Sequence, residues 1–476
     1  MASVIPKRHI LISIFCVQCT ACFAEETLTA WLEKGYEKVA DGKPAMREFQ
    51  SAIRINTDIP KFWTLKLKDS LIFHRLCSEM SFAFQLSKNY TNARDLIQEA
   101  IKAKPANASY RVQLGEVHWF MSNYDLATAA YDAALELNPK SSSAWHGKAR
   151  CLQNIRKPEK AVRAFERALE LSPENTTYLR DLARMVFHRR DYKRALHLLR
   201  RAMKLNPSDT SLHCEIGWVY YRTNKLGDAL SVFIRQTRRP NADANCWFGL
   251  GTVMIKLKRL KEAVAPLKRA CDLDPTAVGY WRDYGNVLFR LNRYSEAADA
   301  YRKSITRDPE HPVLWHSLGL ALEKDGKPKA ALSAFKTSAD LDAMGDAWAD
   351  QMHVLNQLDR FKEAQAVGKK ALALGTFDPK KPERGGLTNP RYVHRMIADA
   401  LTGLGQYREA LKACDEADKA SKKAGDGVYH LCYIQRGDAL LCLGEISKAR
   451  KAYKTAGRGP ERETVRRRLE ALPDEK

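Results

Sequence analysis

Prolines return every 34 residues at Pro105, Pro139, Pro173 and Pro207, and Pro275 and Pro309 keep the register after one skipped beat. A chain with that period folds as an array of similar units, each too small to bury its own apolar face. The residues between the prolines repeat as well. Trp247, Leu250, Gly251 and Met254 precede Ala263, Leu267, Ala270 and Pro275. Trp281, Tyr284, Gly285 and Leu288 precede Ala297, Tyr301, Ser304 and Pro309, and Trp315, Leu318, Gly319 and Leu322 lead to Ala331 and Phe335. Large apolar residues three and four apart make one face of a helix. Gly and Ala at fixed places let a second helix approach closely, and proline ends that second helix because it cannot continue a hydrogen-bonded interior. Each unit therefore reads as two antiparallel helices joined by a short polar turn such as Asn292-Arg293.

The spacing W-x2-L-G-x2-Y…A-x3-F…P resembles the tetratricopeptide-repeat pattern. Eleven such units begin near Arg75, Ser109, Ser143, Thr177, Ser211, Asn245, Gly279, Val313, Asp346, Tyr392 and Leu431. The resemblance implies an all-α fold, a right-handed α-solenoid of stacked helix-turn-helix repeats. Nine repeats fall in residues 74–374 and two in 391–458. Between them, residues 375–390 have no helical period and read as a loop or hinge. Residues 25–73 read as degenerate entry helices, and 459–476 as a capping helix and tail that cover the open apolar end.

Residues 1–24 resemble a secretory signal peptide: Lys7 and Arg8, an apolar stretch from His9 to Val17, then Cys22-Phe23-Ala24 before Glu25-Glu26. Export to a periplasmic or secreted destination, with cleavage near Ala24, is expected. Elsewhere no apolar run approaches the roughly 18 residues of a spanning helix, so no transmembrane span is expected after leader removal. Three of the 11 cysteines lie in the leader and the other eight form no CxxC pair, so neither a zinc framework nor a dense disulfide scaffold is indicated. Cys246 and Cys271 lie at ends that antiparallel helices bring together, which makes a bridge conceivable; two buried thiols are the favoured reading.

No catalytic constellation stands out: HExxH, GxxxxGK[ST] and GxSxG are all missing. Gly249-Leu250-Gly251 lacks a third glycine and falls within a repeat helix. No enzyme, no cofactor and no metal site is expected. Asn89-Tyr90-Thr91, Asn107-Ala108-Ser109 and Asn175-Thr176-Thr177 match the N-glycosylation triplet.

The resemblance implies that ligands lie along a concave surface lined by the first helix of each unit. The corresponding places hold Trp119, then His146 and Arg150, Arg180 and Arg184, Trp218, Tyr221 and Arg222, Phe248 and Lys256, and Arg282, Asn286 and Arg290. Alternating cations and rings suit an extended acidic segment with aromatic side chains. The carboxylate clamp of chaperone-binding relatives is incomplete: Arg282 and Asn286 fit it, but Ser317, Asp346 and Asp350 do not. The expected function is a non-enzymatic scaffold that binds other proteins. The net charge of +23 also permits a binder of nucleic acid or acidic polysaccharide. An accessory subunit of an envelope biosynthesis or export machine is a third reading, by fold analogy.

Overall fold

A computed structural model describes residues 21–41, 43–55, 73–341, 345–373, 390–423, 430, 432–457 and 462–472. The leader residues 1–20 and nearly all of the expected hinge, 374–389, lie outside them. Every regular element among the described residues is an α-helix, and the chain divides into two units, Met1–Thr223 and Asn224–Lys476.

The first unit holds α1 (Ala21–Ala40), α2 (Met46–Ile55), α3 (Phe73–Leu86), α4 (Tyr90–Ala103), α5 (Ala108–Phe120), α6 (Tyr124–Leu137), α7 (Ser142–Asn154), α8 (Pro158–Leu171), α9 (Thr176–His188), α10 (Tyr192–Leu205) and α11 (Thr210–Arg222). The second holds α12 (Leu226–Thr237), α13 (Ala244–Lys256), α14 (Leu260–Leu273), α15 (Val278–Arg290), α16 (Tyr294–Ile305), α17 (Pro312–Lys324), α18 (Pro328–Leu341), α19 (Gly345–Gln357), α20 (Phe361–Ala373), α21 (Pro390–Gly403), α22 (Tyr407–Lys423), α23 (Cys432–Cys442), α24 (Ile446–Ala456) and α25 (Arg462–Glu470). Within each unit, helices adjacent in sequence are adjacent in space, as in an all-α solenoid.

Three contacts explain the periodic signature. In the first, the tryptophan indole N–H donates to the carbonyl of the proline six residues earlier: Trp145 to Pro139 (3.0 Å), Trp281 to Pro275 (3.1 Å) and Trp315 to Pro309 (2.8 Å). The proline thus ends one helix and its carbonyl anchors the next. The second contact joins the first-helix glycine to the second-helix ring. A Cβ on Gly319 would come within 2.5 Å of Phe335, closer than side chains tolerate, so only glycine admits that approach. The third is the turn between paired helices, where Lys88, Ser122, Arg156, Arg190, Asn224, Lys258 and Asn292 all take positive φ near +60°. Gly326, at the next step of the register, adopts φ +74° without the strain the other side chains bear.

The core follows from this register. Around α7–α11, Phe165, Leu179, Leu182, Leu199 and Ala202 are almost wholly buried; in the second unit Leu267, Leu288, Leu314 and Phe335 are equivalent. Helix starts are closed by side chains that accept from backbone N–H groups, among them Ser141, Asp191 and Asp243. The three asparagines of the glycosylation triplets do the same work: Asn89, Asn107 and Asn175 cap α4, α5 and α9. That capping role accounts for an Asn with Ser or Thr close behind it.

The cysteines correct one expectation. Cys271 is a free thiol, fully buried, but Cys246 is disulfide-bonded, so these two are neither a bridge nor a pair of thiols. Cys214 in the first unit is also disulfide-bonded. Burial pushes the free thiols of Cys77 and Cys271 up to about 12 and that of Cys151 to about 11, so they behave as apolar filler.

Candidate functional site: the first-helix faces

In the first unit, polar side chains reach from one first helix to the next. His74 Nδ1 lies 2.6 Å from the Tyr110 hydroxyl, and the Ser78 hydroxyl donates to Gln113 (2.8 Å), joining α3 to α5. His146 Nε2 is 2.7 Å from Asp181 Oδ2, joining α7 to α9. Arg180 on α9 donates to Ser211 Oγ on α11 (3.0 Å) and lies 3.5 Å from Asp209. Arg184 grips Glu215 through two guanidinium nitrogens, Nε at 2.8 Å. The result is a polar ribbon with rungs one repeat apart.

The ribbon is less positive than the sequence suggests. His146, Arg180 and Arg184 each face a carboxylate one repeat further on. Arg150 stacks on the Trp119 ring at 3.7 Å and its charge pulls on Glu116. Arg222 is exposed and donates to the Tyr192 hydroxyl at 3.3 Å. Trp218 and Tyr221 meet edge to face, 5.6 Å apart. At His146, Arg180 and Arg184 the expected basic groove is an ion-paired ladder, because helix stacking sets carboxylates against these cations.

Burial dominates the carboxylates of this ladder. Desolvation raises the Glu215 carboxyl, an effect the charges of Arg184 and Arg180 only partly offset, and it raises Glu116 against the pull of Arg150. Asp209 goes the other way. Burial works against its ionised form, but hydrogen bonds from Ser211 and the charge of Arg180 outweigh it, so the carboxyl is lowered. Three buried polar atoms on the ribbon have no partner among the described residues: the donors Trp119 Nε1 and Arg180 Nε and the acceptor Glu215 Oε2.

In the second unit, the Phe248 and Tyr280 rings lie 4.5 Å apart on α13 and α15. Arg282 turns aside to Asp283 (2.9 Å), and Asn286 accepts from the Tyr301 hydroxyl (2.8 Å). Lys256 and Arg290 are exposed at the ends of α13 and α15. His316 pairs with Asp350 at 2.7 Å between α17 and α19, the same rung as His146 with Asp181.

The sequence reading missed the carboxylates Glu116, Asp181, Asp209 and Glu215. A signal was present: a cation on one first helix and an acid 29 to 35 residues later on the next, as in Arg180 with Asp209 and His146 with Asp181. No helix among the described residues is long and apolar enough to cross a membrane.

Comparison with known proteins points one way. A family model described as a tetratricopeptide repeat matches residues 152–210, 214–278, 274–312 and 282–346, and two others of that description match 130–163 and 108–141. No curated protein matches the chain. Among solved structures, YrrB, described as a tetratricopeptide protein with an unusual peptide-binding site, is 23% identical over 38% of this chain and 93% of its own, with a TM-score of 0.32. A tetratricopeptide repeat protein from Parabacteroides merdae is 15% identical over 52% of this chain and 94% of its own, TM-score 0.41. The APC/C hetero-tetramer Cut9–Hcn1 is 13% identical, with 94% of each chain covered and a TM-score of 0.39.

Proposed function

The chain belongs to the tetratricopeptide-repeat proteins, a family of protein-interaction scaffolds, and from that premise we propose that its first-helix faces bind extended segments of partner proteins in an oxidising compartment outside the cytosol. The observation that carries the reading is the set of unpaired polar atoms on the first unit's ribbon, two donors and one acceptor. Trp119 Nε1, Arg180 Nε and Glu215 Oε2 are buried polar atoms with no partner among the described residues, and such atoms cost stability unless a bond completes them. A peptide backbone offers both a C=O and an N–H, and many modest contacts of this kind along repeats sum to useful avidity. Export is supported by the leader pattern and by the disulfide at Cys246, a bond that persists in oxidising compartments.

The ion-paired ladder counts against a general polyanion binder, because Asp181, Asp209 and Glu215 already face the cations that phosphates would need. The test is a crosslinked pull-down from native cells with residues 25–476, at low and high salt and with nuclease treatment. Trp119→Phe and Arg222→Glu should each deplete a defined set of exported proteins retained at high salt. Reversing Lys193, Arg200, Arg201 and Lys204, basic residues of the second helix α10 and not of a first-helix face, to Glu should leave that set intact. Recovery that is nuclease-sensitive or wholly salt-labile would sink the proposal.

A further inference from the structure

A second surface lies away from the first-helix ribbon. Helices α6, α7 and α8 enclose an open cavity of about 790 Å3. Helix α7 contributes Trp145, Lys148 and Leu152 to it, and Ile155 follows at the end of that helix. These positions are three, seven and ten residues from Trp145, so at 3.6 residues per turn they share one side of the helix. His146 and Arg150, the ribbon residues of α7, fall on the opposite side. The cavity is therefore not an extension of the ribbon.

Its chemistry has two parts. The floor is apolar: the Trp145 indole N–H is already spent on Pro139, so its ring presents carbon, beside Leu152, Ile155 and Ala164. One wall is cationic. Lys157, Lys160 and Arg163 stand along the start of α8, all exposed, and form no ion pair or side-chain hydrogen bond among the described residues. This contrasts with Arg180 and Arg184, whose carboxylate partners are built in. The opposite wall carries Asp125 and Asp132, and Asp132 already holds Lys148 at 2.5 Å.

We infer that this cavity is a docking site for an acidic peptide segment that carries a large apolar side chain. The side chain enters between Trp145, Leu152 and Ile155, and carboxylates flanking it meet Lys157, Lys160 and Arg163. The volume lies within the range of pockets that hold one bulky group and its neighbours. Asp125, whose carboxylate is not taken up by Lys148, decides between anionic partners. It repels the dense charge of a phosphate or sulfate polymer, whereas a peptide places its carboxylates on one side and presents backbone N–H groups to the other. The inference stands whether or not the ribbon binds partners, since the two surfaces share no residue.

The test uses the full chain and a fluorescein-labelled peptide of sequence Glu-Glu-Phe-Glu-Glu, followed by anisotropy. Saturable binding is expected, weakened about tenfold or more by the combined K157E, K160E and R163E variant. Replacing the peptide's Phe by Ser should weaken it comparably, while Trp119→Phe and Arg222→Glu should leave it unchanged. Hydrogen–deuterium exchange on the unaltered chain should show added protection in α6 to α8, a readout that does not depend on any variant folding. Absence of saturable binding would overturn the inference. So would protection confined to the first helices, or a sulfated polysaccharide fragment binding more tightly than the peptide and losing its binding in the same variant.

Discussion

The ribbon on α7, α9 and α11 and the cavity wall on α8 carry similar basic residues in very different circumstances. On the ribbon, His146, Arg180 and Arg184 meet Asp181, Asp209 and Glu215. On α8, Lys157, Lys160 and Arg163 face open solvent with their charge unspent. The ribbon cations hold successive repeats to one another, and the α8 cations hold nothing. A count of Lys and Arg cannot separate these roles, because what matters for a ligand is charge not already neutralised by the fold.

Four measurements would break or sharpen this contrast. The largest effect is expected where both surfaces share a support. Leu179 on α9 is fully buried in the core cluster that also holds Leu152 of the cavity floor, and Leu179→Ala should cost about 2–5 kcal/mol in urea denaturation by leaving a cavity. Both surfaces should then lose order together; survival of either would show that they are supported separately.

Next comes the asymmetry itself. Arg184→Ala leaves the Glu215 carboxylate largely buried without its cation and should cost about 1–3 kcal/mol, whereas Lys160→Ala and Arg163→Ala should each stay within about 0.5 kcal/mol. Equal costs would mean that the ladder is only a surface feature.

A smaller effect should appear in pH dependence. Burial raises the Glu215 carboxyl in the folded chain, while in the unfolded chain it titrates near the ordinary value of about 4.3. Between those two points the folded state holds more protons, so this group's contribution falls as pH rises through the window and grows as pH drops. Wild type should therefore gain stability relative to Glu215→Gln as pH falls toward the unfolded value. The opposite slope would place the carboxyl among the lowered ones. Glu296 is such a case: its bond from Arg293 lowers it, so its contribution is present above the unfolded value and lost as pH falls.

The smallest effect should come from the turns. Arg156→Gly relieves a positive φ of 57° and should stabilise the chain by under about 1 kcal/mol, since glycine also loosens the unfolded state. A loss would show that the Arg156 side chain itself matters there.

How much was legible follows from which features repeat locally. The tryptophan, glycine, aromatic and proline positions each answer to a contact within or just beyond their own unit, such as Trp281 with Pro275 or Gly319 with Phe335. Such contacts leave a periodic trace. The Glu215 partner of Arg184, by contrast, sits 31 residues away, and nothing local to either residue announces the pairing. Cys246 shows the same gap: its helix and its burial follow from the register, but its disulfide does not, and the nearby Cys271 proved the wrong candidate.

The sequence by itself determined that this chain is a stack of helical pairs, where each pair starts and stops, and which faces are buried. It could do so because period and capping are properties of neighbouring residues. Only the tertiary structure decided which charges are spent and which are free. Stacking sets Asp181, Asp209 and Glu215 against one row of cations, and the packing of α6 and α8 about α7 leaves another row open. Coulomb attraction depends on distance in space rather than along the chain, and that distance is fixed only when the repeats pack.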